Sequence, residues 1–253
     1  MADSWNPTIE QFSSLPSTNT LAGERANAGA PAGLTLVADF QTAGRGRLDR
    51  SWEAPPKASL LCSVLLRPTL PSELLHLATI AMALAARSAV SEVTGVAPEL
   101  KWPNDVLLQG KKFGGILAEA HLAAPGGAPG TLAIVVGIGI NLTFDGPPEA
   151  NATSLRTSTG HDVDRDVLLE ALLQALGPRQ AALNTVDGRR SLMTEYREAL
   201  STIGQIVTIH LHDGSKEGEA VGVGDDGALL VQIDGVEIPF SVGDVIHVRP
   251  AAK

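Results

Sequence analysis

The chain has 253 residues, of which 44% are hydrophobic and 19% charged, and its formal net charge is −9. This length fits one large domain with a small one, or two medium domains, and it is enough to bury a substantial core. The acidic balance argues against DNA binding, because proteins neutralise DNA phosphates with Lys and Arg. We find no signal peptide in residues 1–16 and no apolar run of membrane-spanning length, so we predict no membrane association.

Cys62 is the single cysteine, so the chain cannot form an intrachain disulfide. This absence fits a reducing compartment, and we predict a cytoplasmic protein. Because Cys62 lies within the apolar run 59–66, we interpret it as a small buried core residue and not as a catalytic thiol.

The N-terminal part of the chain mixes strands and helices. Apolar runs predict strands at 33–40, 59–66, 99–108, 112–123 and 131–142. Pro103 interrupts the third strand, and a loop at 124–130, rich in Pro and Gly, joins the last two. Helical spacing predicts helices at 74–93, 164–176 and 178–200. Ser72 would cap the first helix, with Glu73 in its first turn, where a negative charge suits the helix dipole.

The C-terminal part has a different sequence pattern, which is typical of β structure. From Ile203 onward, strand-like segments alternate with Asp213-Gly214, Asp226-Gly227 and Asp234-Gly235, which are strong hairpin signals. About 50 residues of β structure suffice for a small barrel. We therefore predict an α+β protein with a mixed sheet in a first domain, 1–201, and a small β-barrel in a second domain, 202–253.

Four segments contain residues that suit a binding site. The first is the loop 41–52, which carries three arginines, Arg45, Arg47 and Arg50, separated by glycines and followed by Trp52. Arginine matches phosphate oxygens with its fork of donors, glycine lets the backbone approach a ligand, and Trp52 offers a flat face to a purine or another ring. The alternative is a solvated, charged turn.

The second and third segments place polar residues beside strands. In 101–105, Lys-Trp-Pro-Asn-Asp, the proline marks an exit from the sheet, so that Asn104 and Asp105 would project at a strand end. The alternative is a turn in which both side chains bond their own backbone. Lys112 stands before Gly114-Gly115 and would point its ammonium at an anion; the alternative is a surface lysine on a hairpin.

The fourth segment, 135–142, contains Gly137 and Gly139, which lie on one strand face and would leave a flat wall for a ligand. The alternative is a bulge or close packing against a helix. The sequence has no dinucleotide fingerprint, no P-loop and no Gly-x-Ser-x-Gly elbow. The six histidines show no metal-binding spacing, so the sequence identifies no metal ligands.

In this order, the segments resemble the biotin protein ligases. The likeness runs from about Ser17 to Asn141 and resumes in the β-rich tail, which looks like that family's SH3-like C-terminal domain. It rests on Ser17-Thr18-Asn19, Gln41 with Gly44-Arg45-Gly46-Arg47 and Trp52, Lys101-Trp102-Pro103-Asn104-Asp105, Lys112 with Gly115-Ile116-Leu117, and Gly137-Ile138-Gly139-Ile140-Asn141. Asp49 departs from the family loop, which often has glycine there.

The resemblance implies a role for each matching residue. The residues for biotin would be Ser17, Thr18, Asn19, Gln41, Arg45, Gly46, Arg47, Lys112, Gly115, Gly137 and Gly139. The residues for ATP and the adenylate would be Arg47, Trp52, Lys101, Asn104 and Asn141, with Arg249 near the nucleotide. Arg45, Lys112 and Asp105 would be catalytic.

The resemblance also implies ATP and Mg²⁺, with biotin as the substrate and a biotin carboxyl carrier protein, the carrier subunit of an acyl-CoA carboxylase, as the partner. The product of the first step would be biotinyl-5′-AMP. We expect a monomer or a weak homodimer. Because only about 16 residues precede Ser17, we expect no DNA-binding domain and no repressor function. Two alternatives stay open: a lipoate or octanoate ligase or transferase, and a non-catalytic biotin or nucleotide sensor.

Overall fold

The computed structural model describes residues 5–48, 50–121, 133–147, 150–211, 214–241 and the backbone of 244–247. The predicted loop at 124–130, together with Asp49, Asp213 and Arg249, lies outside the described residues. The strands are β1 (Thr8–Phe12), β2 (Leu34–Ala38), β3 (Ser59–Leu66), β4 (Glu99–Lys101), β5 (Asp105–Leu108), β6 (Lys111–His121), β7 (Ala133–Asn141), β8 (Ile206–Leu211), β9 (Gly214–Val223), β10 (Leu229–Ile233), β11 (Val236–Phe240) and β12 (Asp244–His247). The helices are α1 (Thr18–Asn27), α2 (Leu77–Thr94), α3 (Leu155–Thr159), α4 (Arg165–Ala182) and α5 (Val186–Ala199).

The larger part of the chain is built on a seven-stranded sheet in the order β1-β2-β3-β7-β6-β5-β4. β1 and β2 are parallel, and all other neighbours are antiparallel, which confirms the predicted mixed sheet. β3 and β7 are buried along their whole length, since both faces of the sheet are covered there. This double burial explains why both strands read as continuous apolar runs.

Helices cover the two faces of the sheet differently. On one face, α2, α4 and α5 pack against the large side chains of alternate strand positions and form the main core. On the other face, only the small residues of α1 cover part of the sheet, with Ala22 and Ala26 against Leu36, Leu65 and neighbouring strand residues. The remainder of this second face is left for a cleft.

The helix α2 is the most apolar element. The segment 72–94 is long and apolar enough to span a membrane by length and composition, yet 61% of its most apolar window is buried inside the protein. It packs in the main core, as the central helix of a globular fold does. The predicted cap is wrong: Ser72 begins a short 3₁₀ turn, and α2 starts only at Leu77, after His76, with no side-chain cap.

Two further helix predictions need correction. Pro178 was expected to begin a helix, but it lies inside α4, which continues to Ala182. The next helix starts at Val186, because the Thr185 hydroxyl caps it by accepting from the Gly188 amide at 3.0 Å. α1 was not predicted at all, because small and polar residues form its buried face instead of an apolar stripe.

The C-terminal residues form a five-stranded antiparallel sheet in the order β11-β10-β9-β8-β12. Asp234 and Gly235 connect β10 and β11 with φ angles of 50° and 82°, which confirms the hairpin expected at this pair. The boundary near Ser201 and the SH3-like barrel stay predictions.

Trp102 joins the two sheets. Its indole is buried, and its Nε1 donates to the carbonyl of Gly227, between β9 and β10, at 3.0 Å. Its backbone N–H donates to the Thr202 hydroxyl at 3.1 Å. Nearby, Arg197 of α5 donates to the Val223 carbonyl at 2.7 Å. The turn between β4 and β5 is therefore held in place by contacts of Trp102 with Thr202 and with Gly227.

Candidate active site

A cleft of about 120 Å³ opens on the α1 side of the central sheet. Its floor is formed by three neighbouring strands, where Gly139 of β7 stands between Leu61 of β3 and Gly115 of β6. In the next row, Gly137 stands between Ser63 and Leu117. The predicted glycine face therefore exists and lines a cleft; β7 has no bulge there, and Gly137 also packs closely against Asn19 of α1.

The glycines of β7 are required by what lies against them. A Cβ atom on Gly137 would lie 2.0 Å from Asn19 Oδ1, and one on Gly139 would lie 2.5 Å from Trp52 Cε2. Neither distance is possible for a real side chain. The Trp52 indole thus lies flat against the Gly139 floor, and its buried Nε1 has no hydrogen-bond partner among the described residues. An orphaned buried donor in a cleft is costly and marks a place for a ligand acceptor or a water.

Buried polar side chains occupy the inner end of the cleft. The backbone N–H and hydroxyl of Thr18 both donate to Gln41 Oε1, at 2.7 and 3.0 Å. The Ser63 hydroxyl lies 2.7 Å from the Thr18 hydroxyl and 2.6 Å from Asn19 Oδ1. Since a serine hydroxyl has one proton, it can satisfy only one of these two acceptors at a time.

This arrangement leaves hydrogen-bonding capacity for a ligand. One acceptor, on Thr18 or Asn19, is open to an added N–H donor. Because the Gln41 carbonyl oxygen serves Thr18, the Gln41 amide nitrogen is available as a donor to the cleft. Ser17 supports the arrangement from outside as the N-cap of α1, with its Oγ 3.4 Å from the Thr20 amide.

The loop that carries the arginines closes one side of the cleft. Its two arms are joined by backbone hydrogen bonds, from Gly46 to Arg50 at 2.7 Å and from Trp52 to Gly44 at 3.0 Å. Two side chains fasten it to the sheet. Arg47 donates to Asn104 Oδ1 at 3.1 Å, and Arg45 forms a double contact with the carboxylate of Glu119. The loop is therefore fastened to the sheet by two of its arginines, although Arg45 and Arg50 are also exposed to solvent.

Lys112 and Asp105 face each other at the rim. Their Nζ and Oδ1 atoms are 2.5 Å apart, and Nζ also lies 5.8 Å from the centre of the Trp52 ring. Asn104 is held by its own Nδ2, which donates to the Ile116 carbonyl at 2.9 Å. The alternative of a self-bonded Asn-Asp turn is therefore wrong, while Lys112 is a partly exposed lysine of the β5–β6 hairpin that borders the cleft.

Charge favours an anion in this cleft. The described residues that line it include four cationic side chains and one carboxylate, namely Arg45, Arg47, Arg50, Lys112 and Asp105. In a chain of net charge −9, such a local excess of positive charge indicates a site for an anionic ligand.

A second cavity, of about 290 Å³, lies where α2 and the β4–β5 turn meet the C-terminal sheet. Arg47 and Asn104 border both cavities. Tyr196 also lines the second one. Burial, followed by the negative charge of Asp105, raises the pKa of the Tyr196 hydroxyl above its ordinary value, so this phenol stays protonated.

The structure brings most of the predicted site residues together in the cleft. The lining contains Ser17, Thr18, Asn19, Gln41, Arg45, Gly46, Arg47, Trp52, Asn104, Asp105, Lys112, Gly115, Gly137 and Gly139. Lys101 and Asn141 are not among the lining residues; the Asn141 amide instead donates to the Thr153 carbonyl at 3.1 Å. The roles of all these residues stay predictions.

Two residues that hold the lining residues Thr18 and Asn19 in place, but do not line the cleft themselves, were missed from the sequence. Ser63 is the polar residue at the centre of a fully buried strand, and a buried hydroxyl in such a position needs partners. Glu119 interrupts the apolar part of β6 with a carboxylate. Both signals were present in the sequence as polar residues inside predicted strands.

Cys62 lies at the edge of the cleft but faces the core. It is 1% exposed, and burial raises the pKa of its thiol to about 12. The thiol is therefore protonated at neutral pH, which confirms the expectation of an unreactive core residue.

The described residues contain no cluster of three His, Cys, Asp or Glu side chains able to hold a metal ion. Mg²⁺ often binds through substrate phosphates with only one or two protein carboxylates. A cationic cleft with Asp105 at its rim fits this second mode and not a protein-built metal cage.

Comparisons with known proteins agree with this geometry. Residues 11–141 match the model of the biotin/lipoate A/B protein ligase family, and residues 202–248 match the biotin protein ligase C-terminal domain. The chain is similar to the biotin–[acetyl-CoA-carboxylase] ligase of Mycobacterium tuberculosis, with 36% identity over 241 residues, which covers 92% of this chain and 86% of that protein. It is also similar to the bifunctional ligase/repressor BirA of Bacillus subtilis, with 33% identity over 223 residues, covering 86% and 67% of the two chains.

A solved structure is similar over nearly the whole fold. The biotin protein ligase from Aquifex aeolicus in complex with biotin and ATP superposes with a TM-score of 0.80 at 29% sequence identity. The match covers 96% of this chain and 99% of that one.

Proposed function

Because the chain belongs to the biotin/lipoate A/B protein ligase family, we propose that it is a biotin protein ligase. It activates biotin with ATP to biotinyl-5′-AMP and transfers the biotinyl group to a lysine of a biotin carboxyl carrier protein. One observation carries this proposal: a single cleft combines a buried pocket of amide and hydroxyl groups with a cationic rim.

The inner pocket suits a cyclic urea. A ureido ring offers two N–H donors and one carbonyl acceptor, and the pocket offers the complementary groups. Thr18, Ser63 and Asn19 leave an open acceptor, and Gln41 leaves an open amide donor. A site built to hydrogen-bond such a ring rejects acids that lack it, because its buried polar groups would then stay unpaired. Lipoate, which has a dithiolane ring, is such an acid.

The cationic rim suits the activation step. The biotin carboxylate attacks the α-phosphorus of ATP, a carboxylate oxygen–phosphorus bond forms, and pyrophosphate leaves with the electrons of the broken bond. Negative charge grows on the phosphoryl oxygens in the transition state. Lys112, Arg45 and Arg47 stabilise this charge from the side of the cleft where they already lie. Mg²⁺, bound with ATP, supplies further charge neutralisation there.

The transfer step needs a deprotonated lysine on the carrier. A free lysine has a pKa near 10.4, so its amine is protonated at neutral pH. Asp105 lies at the rim, and its carboxylate already receives an ammonium, that of Lys112, at 2.5 Å. It is placed to orient the incoming amine and to accept its proton while the amine attacks the acyl carbon and AMP leaves.

The arginine loop is suited to retain the adenylate. Arg45 and Arg47 hold it on the sheet through hydrogen bonds to Glu119 and Asn104. The same two guanidinium groups would bind the phosphate of the adenylate and move the loop toward it. Closing the loop over a reactive anhydride shields it from water.

We place this activity in the cytoplasm, with an acyl-CoA carboxylase carrier subunit as the protein partner. The proposal includes a monomer or a weak homodimer, no DNA or membrane partner, and a catalytic domain at 1–201 followed by an SH3-like domain at 202–253. Absence of repressor function also belongs to the proposal.

The first test is biotin-dependent exchange of labelled pyrophosphate into ATP, run with Mg²⁺ and with lipoate as the parallel substrate. Exchange with biotin alone supports the proposed activation step. Exchange with lipoate alone would assign the chain to the lipoate branch of the family, and no exchange with either would favour a non-catalytic sensor.

A further inference from the structure

Glu119 binds two residues of the cleft, Asn19 and Arg45, and has no role in the proposed activation and transfer steps. It lies on β6, on the same strand face as Gly115 and Leu117, and its side chain is 24% exposed. Its two carboxylate oxygens bind two residues at once. Oε2 accepts from Asn19 Nδ2 at 2.9 Å, while Arg45 reaches Oε1 with Nη2 at 2.7 Å and Oε2 with Nη1 at 3.0 Å.

The contact with Asn19 completes a fully bonded amide. Asn19 is 4% exposed, its Oδ1 lies 2.6 Å from the Ser63 hydroxyl, and its Nδ2 also donates to the Leu117 carbonyl at 3.1 Å. Both amide protons are therefore used, and the orientation of the amide is fixed. Without Glu119, one amide proton would lose its strongest acceptor and Asn19 could rotate within the pocket.

The contact with Arg45 holds the arginine loop. The pairing is bidentate, which fixes the plane of the guanidinium as well as its position. The Arg45 side chain is 49% exposed, so little else holds it on its solvent side. Glu119 thus sets where Arg45 stands when it meets a phosphate.

We propose that Glu119 is a positioning residue that couples the two ends of the cleft, by fixing Asn19 at the biotin end and Arg45 at the phosphate end. This inference rests on the proposed biotin ligase function. Glu119 does not line the cleft itself, so it acts through its two partners and not by touching substrate. It sets both the affinity for biotin and the retention of the adenylate.

Two substitutions separate these effects. Glu119→Gln keeps an acceptor oxygen for Asn19 but removes the charge that Arg45 pairs with, whereas Glu119→Ala removes both. The matched control is Glu10→Ala. It also removes an ion pair, the 3.4 Å contact with Arg25, but Glu10 lies on the edge strand β1 and not on β6. The measurements are KM for biotin and kcat in pyrophosphate exchange, and the half-time of release of preformed, labelled biotinyl-adenylate.

Glu119→Ala is expected to raise KM for biotin about tenfold, the effect of losing one charge-assisted hydrogen bond, with kcat within about threefold of the parent. Glu119→Gln is expected to restore KM to within about threefold of the parent, while both variants release the adenylate at least about fivefold faster. Glu10→Ala should change none of these quantities.

Equal KM values in the two Glu119 variants, or unchanged release in both, would overturn the coupling role while leaving the ligase function intact. A general loss of folding would instead lower kcat and thermal stability in both variants, with no difference between them in KM for biotin, and would likewise overturn the coupling role. If the parent chain shows no biotin-dependent exchange, the proposed function fails first, and the role of Glu119 fails with it.

Discussion

Replacing Gly137 by alanine adds one methyl group at the most crowded point of the cleft floor. The added Cβ would lie 2.0 Å from Asn19 Oδ1 and 2.9 Å from Asn19 Cγ, whereas ordinary contacts begin at 3.4 Å. The strand cannot retreat, because β7 is buried and paired on both sides. The Asn19 amide must therefore move by about 1.4 Å, which is the difference between the two distances.

Such a displacement breaks the contacts that fix Asn19. Its bonds to Ser63, the Leu117 carbonyl and Glu119 are 2.6, 3.1 and 2.9 Å long, so none survives a shift of this size. At about 1 kcal/mol for each of the two neutral hydrogen bonds and about 1.5–3 kcal/mol for the one to a charge, restoring the binding arrangement costs about 3.5–5 kcal/mol. Biotin binding should weaken roughly 300- to 4,000-fold.

Gly139→Ala is the matched comparison on the same strand. Its Cβ would meet the Trp52 indole at 2.5 Å, so it displaces a side chain expected to bind ATP and leaves Asn19 in place. Gly137→Ala should therefore mainly raise KM for biotin and Gly139→Ala mainly KM for ATP, both measured by pyrophosphate exchange. Val136→Ala, on the core face of the strand, controls for lost stability. If Gly137→Ala leaves biotin affinity within threefold of the parent, the assignment of the inner pocket to biotin is refuted.

Three further predictions follow from the site and its supports. Lys112→Gln should lower kcat of pyrophosphate exchange by roughly 10²- to 10³-fold, because a charge beside the reacting phosphate is lost, while the exposed neighbour Lys111→Gln should have little effect. With a thiol pKa of about 12, Cys62 in the folded protein should react with iodoacetamide at pH 8 at least about 10³-fold more slowly than a free cysteine, and the rate should rise about tenfold per pH unit as thiolate forms; rapid labelling would contradict its burial. Trp102→Phe should lower the free energy of unfolding by about 1–3 kcal/mol in urea titrations followed by circular dichroism, because the Gly227 carbonyl loses its buried donor; an unchanged midpoint would mean that this bond does not join the two sheets.

The buried strands β3 and β7 were predictable because burial on both faces produces unbroken apolar runs, whereas the partly exposed β1 (Thr8–Phe12) was not predicted. The run 59–66 coincides with β3, and β7 lies within the predicted 131–142. The glycine face was predictable from alternation alone, since Gly137 and Gly139 are two residues apart.

The helices were less predictable because their signals depend on tertiary contacts. α1 buries Ala22, Ala26 and polar residues against the sheet, so it lacks an apolar stripe. Pro178 is tolerated inside α4, which continues to Ala182, and α5 begins only after the Thr185 cap. α2 begins directly after His76, whose ring contacts the Asp226 carbonyl in the turn between β9 and β10, and no local sequence pattern predicts this contact.

The site was predictable as a set of segments but not as a network. The family resemblance indicated Gln41, Arg45 and Lys112 as site residues, yet no sequence spacing relates Asn19 to Glu119, which are 100 positions apart. Their contact exists because Asn19 of α1 lies against β6 next to Leu117 and Glu119. Such long-range pairing is visible only in the folded chain.

The most direct test of the central claim is the transfer itself. Purified protein is incubated with ATP, Mg²⁺, labelled biotin and a purified biotin carboxyl carrier domain, beside a reaction with lipoate and a carrier whose target lysine is replaced by arginine. The account predicts label on the native carrier only, with biotin only, and only when ATP is present. Lipoyl transfer in place of biotinyl transfer, or no transfer of either acid to a competent carrier, would contradict it.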